Sequence, residues 1–213
     1  EQPIETGEIP ESGTEFDAIV VGGGPGGSSA AGYLAKSGAR VLLIEKEVWP
    51  RDKVCGDAVG GKSLSHVEGL GVKADLESTP HFRDTGIMFS SPKGNSVRVP
   101  LPEEDVERLE AGYALPRAQF DSLLFNRCQA MVREAGGSVI QGGDVRTVLF
   151  DDGKGGEDPG EGSGDARHAS GLVVRIGGRD GEERTYHTRE LVGAAGYRCP
   201  VARSVVESSY SEA

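Results

Sequence analysis

The residues best placed to do chemistry are Asp17-Ala-Ile-Val-Val-Gly22-Gly-Gly24-Pro25-Gly-Gly27, followed by Val41-Leu-Leu-Ile-Glu45-Lys46. Gly22, Gly24 and Gly27 form a Gly-x-Gly-x-x-Gly series between an apolar run and a run of small residues. In that pattern the first glycine permits a tight turn and the second lets the backbone approach a pyrophosphate. The third lets a helix pack closely on a sheet. A helix opening at Pro25 offers unpaired N–H groups and the positive end of its dipole to phosphate. Glu45 lies 18 residues past Gly27, near the ~20 expected of an acid that accepts hydrogen bonds from a ribose diol. In a chain with 33 glycines such spacing also arises by chance. The strand before it and the helix after it are what point to a dinucleotide rather than a bare turn.

The elements that must hold these residues follow from periodicity and punctuation. Phe16–Val21 reads as a strand, about Pro25 to Lys36 as a helix ended by Gly38, and Val41–Glu45 as a second strand. Residues 47–80 read as irregular, with a helical stretch near Ser63–Leu70. Thr85–Ser90 and Ser96–Leu101 flank the turn Pro92-Lys-Gly-Asn95 and read as a hairpin, its second arm an edge strand. Residues 102–110 are charged and briefly helical, and Tyr113–Leu115 is a short strand. Arg117–Ala135 carries Phe120, Leu123, Leu124, Cys128, Met131 and Val132 at helical spacing, a core-facing stripe. Ser138–Gln141 is a strand, and Asp144–Phe150, Gly171–Ile176 and Glu183–Val192 form an antiparallel meander. The segment 151–170 has too little apolar surface to order itself and reads as a flexible loop.

The fold class expected is α/β: a Rossmann-like sheet, mostly parallel and doubly wound, with an antiparallel meander and part of a second domain. Residues 1–15 read as a disordered leader and 16–80 as the first part of the nucleotide-binding domain. Residues 81–113 read as an inserted piece of a substrate domain, 114–205 as the second nucleotide-binding part, and 206–213 as a tail.

A net charge of −11 with no basic stripe argues against a nucleic-acid partner and gives no electrostatic attraction to anionic membranes. No apolar run approaches the ~18 residues of a membrane span, and the acidic N-terminus lacks a signal-peptide pattern. A cytoplasmic location is expected. The chain opens without Met, so residues upstream are allowed for. Cys55, Cys128 and Cys199 are odd in number and far apart, which suggests neither a disulfide framework nor a zinc site. His66, His81, His168 and His187 lack ligand spacing, and no metal is expected. No Ser-His-Asp order, paired-carboxylate motif or P-loop is present to support a hydrolase or kinase. The oligomeric state is left open.

Three further segments extend the pattern: Pro50-Arg51-Asp-Lys53-Val-Cys55-Gly56-Asp57, Tyr113-Ala-Leu-Pro-Arg117-Ala-Gln-Phe120-Asp121, and Leu191-Val-Gly193-Ala-Ala195-Gly196. With the glycine loop, their order resembles the geranylgeranyl reductase family of FAD-dependent oxidoreductases, part of the larger p-hydroxybenzoate-hydroxylase-like group. The resemblance covers roughly residues 15–205, and Arg-x-Lys-x-Cys-Gly-Asp is its most specific part. It implies FAD in the glycine-loop site, with Gly22, Gly24, Pro25, Gly27, Glu45 and Lys46 at the ADP half. Arg51, Cys55, Gly56 and Asp57 would lie along the flavin side. Arg117 would approach the phosphate–ribityl region, and Val145 would flank the adenine.

The resemblance further implies that NAD(P)H supplies hydride and that a polyprenyl carbon–carbon double bond receives it. The substrate would be an isoprenoid or other apolar small molecule, which leaves room for a peripheral membrane contact. Cys55 is the one reactive side chain it places near the ring, hence the catalytic candidate, beside the reading of Cys55 as a small buried residue. Arg117 likewise carries the alternative of pairing with a surface acid. Met88, Phe89, Val97, Val99 and Leu101 are candidates for an apolar wall and equally for sheet core.

Relatives carry Gly-Ala-Asp-Gly where this chain has Gly193-Ala-Ala195-Gly196. They also continue beyond the equivalent of Arg203, so the chain is expected to be the N-terminal portion of such an enzyme. Two other readings stand beside the reductase: an FAD-dependent monooxygenase or halogenase-like enzyme of the same group, and a non-catalytic nucleotide-binding remnant.

Overall fold

The computed structural model describes residues 8–51, 53–107, 112–151, 171–178 and 180–205. It begins with β1 (Glu15–Val21), α1 (Pro25–Lys36) and β2 (Val41–Glu45), as the periodicity requires. β3 (Ala58–Val59), α2 (Ser63–Gly69), α3 (Lys73–Ser78), β4 (Phe82–Arg83), β5 (Gly86–Ser90), β6 (Ser96–Pro100), α4 (Glu103–Glu107) and β7 (Tyr113–Ala114) follow. The chain then forms α5 (Arg117–Glu134), β8 (Ser138–Gln141), β9 (Asp144–Asp151), β10 (Gly171–Gly177), β11 (Glu183–Gly193) and α6 (Pro200–Val205).

The chain divides into two compact units. Unit one comprises residues 1–51 and 124–213, and unit two residues 52–123. Unit one is built on a six-stranded sheet in the order β8-β2-β1-β11-β10-β9. The first four of these strands are mutually parallel, and β10 pairs antiparallel with both β11 and β9. Ala18–Val21 of β1 and Val41–Ile44 of β2 read as unbroken apolar runs because both faces of these stretches are covered, as in parallel sheets generally. Ile19, Val21, Leu42, Ile44 and Ile140 enter one core cluster with Val145, Val174, Tyr186 and Val201. Their neighbours Val20, Val41, Leu43 and Val139 enter another with Ala31, Ala35, Trp49, Phe125 and Val132. This is the two-residue period of a strand, used on both sides of one sheet.

The doubly wound, parallel-rich fold with its meander is therefore as expected, but several local expectations are corrected. Residues 8–14, within the 1–15 segment expected to be a disordered leader, are tied to β11. Gly13 N–H donates to Thr185 O at 2.7 Å, His187 N–H to Thr14 O at 3.1 Å and the Tyr186 hydroxyl to Pro10 O at 2.9 Å. The unit boundary lies at Arg51, not near residue 80. Residues 52–80 join unit two because β3 pairs antiparallel with β7, Ala58 opposite Ala114. Unit one resumes at Leu124, within α5.

The hairpin at 86–100 is a separate two-stranded sheet and not an edge of a larger one. Ile87, Phe89, Val97 and Val99 share one face in register and are all exposed, as is Met88, so none of them is sheet core. The expected flexible loop lies outside the described residues except for Asp151, and the expected tail lies outside them entirely. Among the described residues no helix is long and apolar enough to cross a membrane.

Candidate functional site

The glycine loop leaves the carboxyl end of β1, between the carboxyl ends of β2 and β11. In open α/β sheets ligands bind at such positions. Two hydrogen bonds carry the ladder past the strand: Gly22 N–H to Ile44 O and Ala194 N–H to Val21 O, both 2.8 Å. They press the loop against the segment after β11. A Cβ on Gly22 would stand 2.6 Å from Ala194 O, and its φ is +108°, so glycine is required twice over. At Gly27 a Cβ would run into the Gly22 carbonyl, which explains the third glycine by helix–loop contact. α1 then packs through Gly27, Ser28, Ala31, Gly32 and Ala35, all small and buried. The Ser28 hydroxyl donates to Gly23 O at 2.8 Å and ties the helix back to the loop.

Glu45 is brought to this loop as expected, and its side chain is 8% exposed. Gly23 N–H donates to Glu45 Oε2 at 2.6 Å, and Glu47 N–H donates to Oε1 at 2.9 Å. Each carboxylate oxygen keeps a second acceptor position for a ribose hydroxyl. Arg51 belongs to the same group. Its Nε stands 3.8 Å from Glu45 Oε1, and its Nη2 would be 3.3 Å from a Cβ on Gly24. Pro25 opens the helix, while Lys46 is exposed beside Glu45.

A diphosphate fits these residues. The N-cap Gly24 provides no side-chain cap and the first turn carries no acid, so the first-turn amides are left for a ligand or water. The Arg51 Nε is buried without a hydrogen-bond partner. A Cβ on Gly26 would meet nothing within 4 Å, so open ground lies beside those donors. Uncapped first-turn amides and a positive dipole end beside open ground call for an anion rich in acceptors.

Val145 is 8% exposed and packs in the apolar cluster. Its side chain is therefore occupied by core, and only its main chain remains for a ring.

Unit two gathers the other candidates. Cys55 is exposed, which sets aside the reading of it as a small buried residue. A Cβ on Gly56 would meet nothing within 4 Å. Arg117 N–H donates to Asp57 Oδ1 at 3.2 Å, and Leu115 N–H donates to Asp57 O at 3.0 Å, so Asp57 holds the entry to α5. Arg117 does not pair with a surface acid. Its Nε and Nη2 donate to Asp121 Oδ1 and Oδ2 at 2.9 and 3.0 Å, and Asp121 is 3% exposed. Burial pushes the Arg117 pKa down, but the hydrogen bond and charge of Asp121, with a contribution from the Cys55 sulfur, carry the net shift upward.

Sequence reasoning missed three residues here. Gly23 is an unspecified position of the motif, yet its N–H meets Glu45 and a Cβ on it would stand 2.8 Å from Phe125 Cε2. Phe125 falls outside the apolar stripe proposed for α5 but is fully buried. Trp49 stacks on it at 4.9 Å. The signal at hand was the presence of a single Trp two positions before Arg51.

A family described as FAD binding domain matches residues 15–154. The chain is 29% identical over 189 residues to a menaquinone reductase of Mycobacterium tuberculosis, covering 89% of this chain and 40% of that protein. It is 33% identical over 140 residues to a digeranylgeranylglycerophospholipid reductase of Thermoplasma volcanium, covering 65% of this chain and 33% of that protein. Among solved structures, a myxobacterial chondrochloren halogenase, described as FAD-dependent, superposes with a TM-score of 0.67 at 28% identity, covering 89% of this chain and 38% of that one. The chain thus spans at most 40% of the length of these relatives. The family match covers well over half the chain, and the glycine loop, Glu45 and Arg51 lie within it: the chain belongs to the FAD binding domain family.

Proposed function

We propose that this chain is the FAD-binding portion of an oxidoreductase that saturates carbon–carbon double bonds of a polyprenyl chain, with NAD(P)H as the electron source. The observation that carries the nucleotide half of this reading is the buried Glu45–Gly23–Arg51 group beside an uncapped helix N-terminus. The polyprenyl half is supported by two relatives whose names denote reductases of menaquinone and of digeranylgeranylglycerophospholipid. Both lipids carry polyprenyl chains.

Bound flavin supplies the hydride chemistry, and the protein's part is to bind, orient and shield. Gly22, Gly24 and Gly27 shape the backbone around the diphosphate while the α1 amides and Arg51 meet its charge. Glu45 accepts from the ribose diol. In unit two, Arg117 held by Asp121 serves the ribityl–phosphate region, and Cys55 is the candidate to hold or pass a proton. Ala195 places no acid after β11. An apolar substrate accounts for a peripheral membrane contact, and a cytoplasmic location remains part of the proposal.

A second reading, an FAD-dependent hydroxylase or halogenase of the same group, is favoured by the superposition on the halogenase. Turnover separates the two. With FAD and NAD(P)H, the reductase reading expects a digeranylgeranyl lipid to gain two hydrogens per double bond and a phenolic substrate to be left unchanged. Oxygenation or halogenation of the phenol with an untouched lipid contradicts it.

A further inference from the structure

Trp49 is the one tryptophan of the chain and is 1% exposed. Its indole stacks on Phe125 with ring centroids 4.9 Å apart and planes 23° apart. The Arg51 guanidinium carbon lies 4.5 Å from the centroid of the same indole. Phe125 in turn abuts the loop, since its Cε2 stands 2.8 Å from where a Cβ on Gly23 would be. The glycine loop, Phe125, Trp49 and Arg51 thus form one continuous stack, and its far end returns to the loop at Gly24.

Hydrogen bonding does not explain why Arg51 stays there. Its Nε has no hydrogen-bond partner, and Glu45 stands 3.8 Å from it, with both carboxylate oxygens accepting from Gly23 and Glu47. An arginine with a long flexible stem loses much rotamer freedom when fixed in place. A cation over an indole face is attracted by the ring quadrupole, and Trp is the strongest of the aromatic platforms.

We propose that Trp49, backed by Phe125, is a positioning residue for nucleotide binding: its indole holds the Arg51 guanidinium over the glycine loop with donors unspent, ready for the diphosphate. This rests on reading the glycine loop as the nucleotide site.

The test is a double-mutant cycle on FAD affinity, read by flavin fluorescence at low and high salt. It uses wild type, Trp49→Leu, Trp49→Phe, Arg51→Met and the Leu/Met double variant, with thermal unfolding of each nucleotide-free protein alongside. Trp49→Leu is expected to weaken FAD binding by about 3- to 30-fold, the range a desolvated cation–π contact supports. Trp49→Phe recovers most of that loss. The double variant binds no more weakly than Arg51→Met alone, and Trp49→Leu shows the same shallow salt dependence as Arg51→Met. Losses that multiply in the double variant, or a Phe variant as weak as the Leu variant, overturn the proposal.

Should the Leu variant fail to fold, ADP decides it by titration against Trp49 emission. ADP alters the emission in wild type and leaves it unaltered in Arg51→Met. ADP that binds wild type without changing Trp49 emission overturns the proposal. A wild-type chain that binds neither FAD nor ADP overturns the nucleotide reading itself.

Discussion

Gly22→Ala tests the physical core of the fold and site together. Gly22 adopts φ +108°, where an L side chain is strained by about 1 kcal/mol. The added Cβ would also stand 2.6 Å from Ala194 O, 2.7 Å from Ala194 C and 2.8 Å from Ala195 Cα. These are main-chain atoms of the segment after β11, fixed by the Ala194–Val21 hydrogen bond, so they cannot rotate aside. Overpacking of this kind costs about 1–3 kcal/mol. The total of about 2–4 kcal/mol is a large share of a typical domain's stability of roughly 5–15 kcal/mol. Trp49 is the sole tryptophan and lies in the core of unit one, so its fluorescence during urea unfolding reports that unit. With a slope of roughly 2 kcal/mol per molar, the midpoint drops by about 1–2 M. Gly26→Ala is the control. A Cβ there meets nothing within 4 Å, and its unfolding free energy stays within about 0.5 kcal/mol of wild type. A Gly22→Ala protein as stable as wild type, or a Gly26→Ala protein equally damaged, refutes the reasoning.

Two further predictions follow from buried groups. Burial pushes the Cys128 thiol up to about 12 from 9.0, opposed only by Arg127. Because the folded value is the higher one, this contribution to stability is complete below about pH 9 and is lost as pH rises toward 12. Cys128→Ala should flatten the decline of the urea midpoint over that window, and an unchanged slope would contradict the assignment. Arg117→Met leaves the buried Asp121 carboxylate without its cation, and unfolding should become easier by about 3 kcal/mol. Arg117→Met/Asp121→Leu should recover most of that loss in the same chemical-denaturation assay, whereas additive losses would show that the pair is not coupled.

Much of this was legible in the sequence for identifiable reasons. β1, α1 and β2 announce themselves because the doubly covered stretches Ala18–Val21 and Val41–Ile44 are apolar throughout and a close-packed helix needs Gly27, Ser28, Ala31 and Ala35 small. The acid at the end of β2 was legible from spacing alone. The segment 47–80 was not, because β3 has only two residues and is defined by pairing with β7, 55 positions away. No local pattern encodes such a pairing. The order of residues 8–14 is hidden for a related reason: the segment has no periodic pattern, and its partners are main-chain and hydroxyl groups of β11. The hairpin's alternation correctly signalled two paired strands, but alternation says nothing about whether the apolar face is covered, and here it is not. At the site, residue types identified Glu45 and the glycines. The Trp49–Phe125 stack is a tertiary contact between residues 76 positions apart, with no motif of its own.

Equilibrium titration of the chain with FAD, followed by quenching of flavin fluorescence and challenged with ADP and with FMN, tests the central claim most directly. The cradle of Gly22, Gly24, Gly27, Glu45 and Arg51 predicts saturation at one FAD per chain and displacement by ADP, with FMN a poor competitor because it lacks the adenosine diphosphate half. Glu45→Gln should weaken binding by about tenfold or more, the value of a charged acceptor's hydrogen bond. Absence of saturable binding, or FMN displacing FAD as effectively as ADP does, would contradict the assignment of this loop.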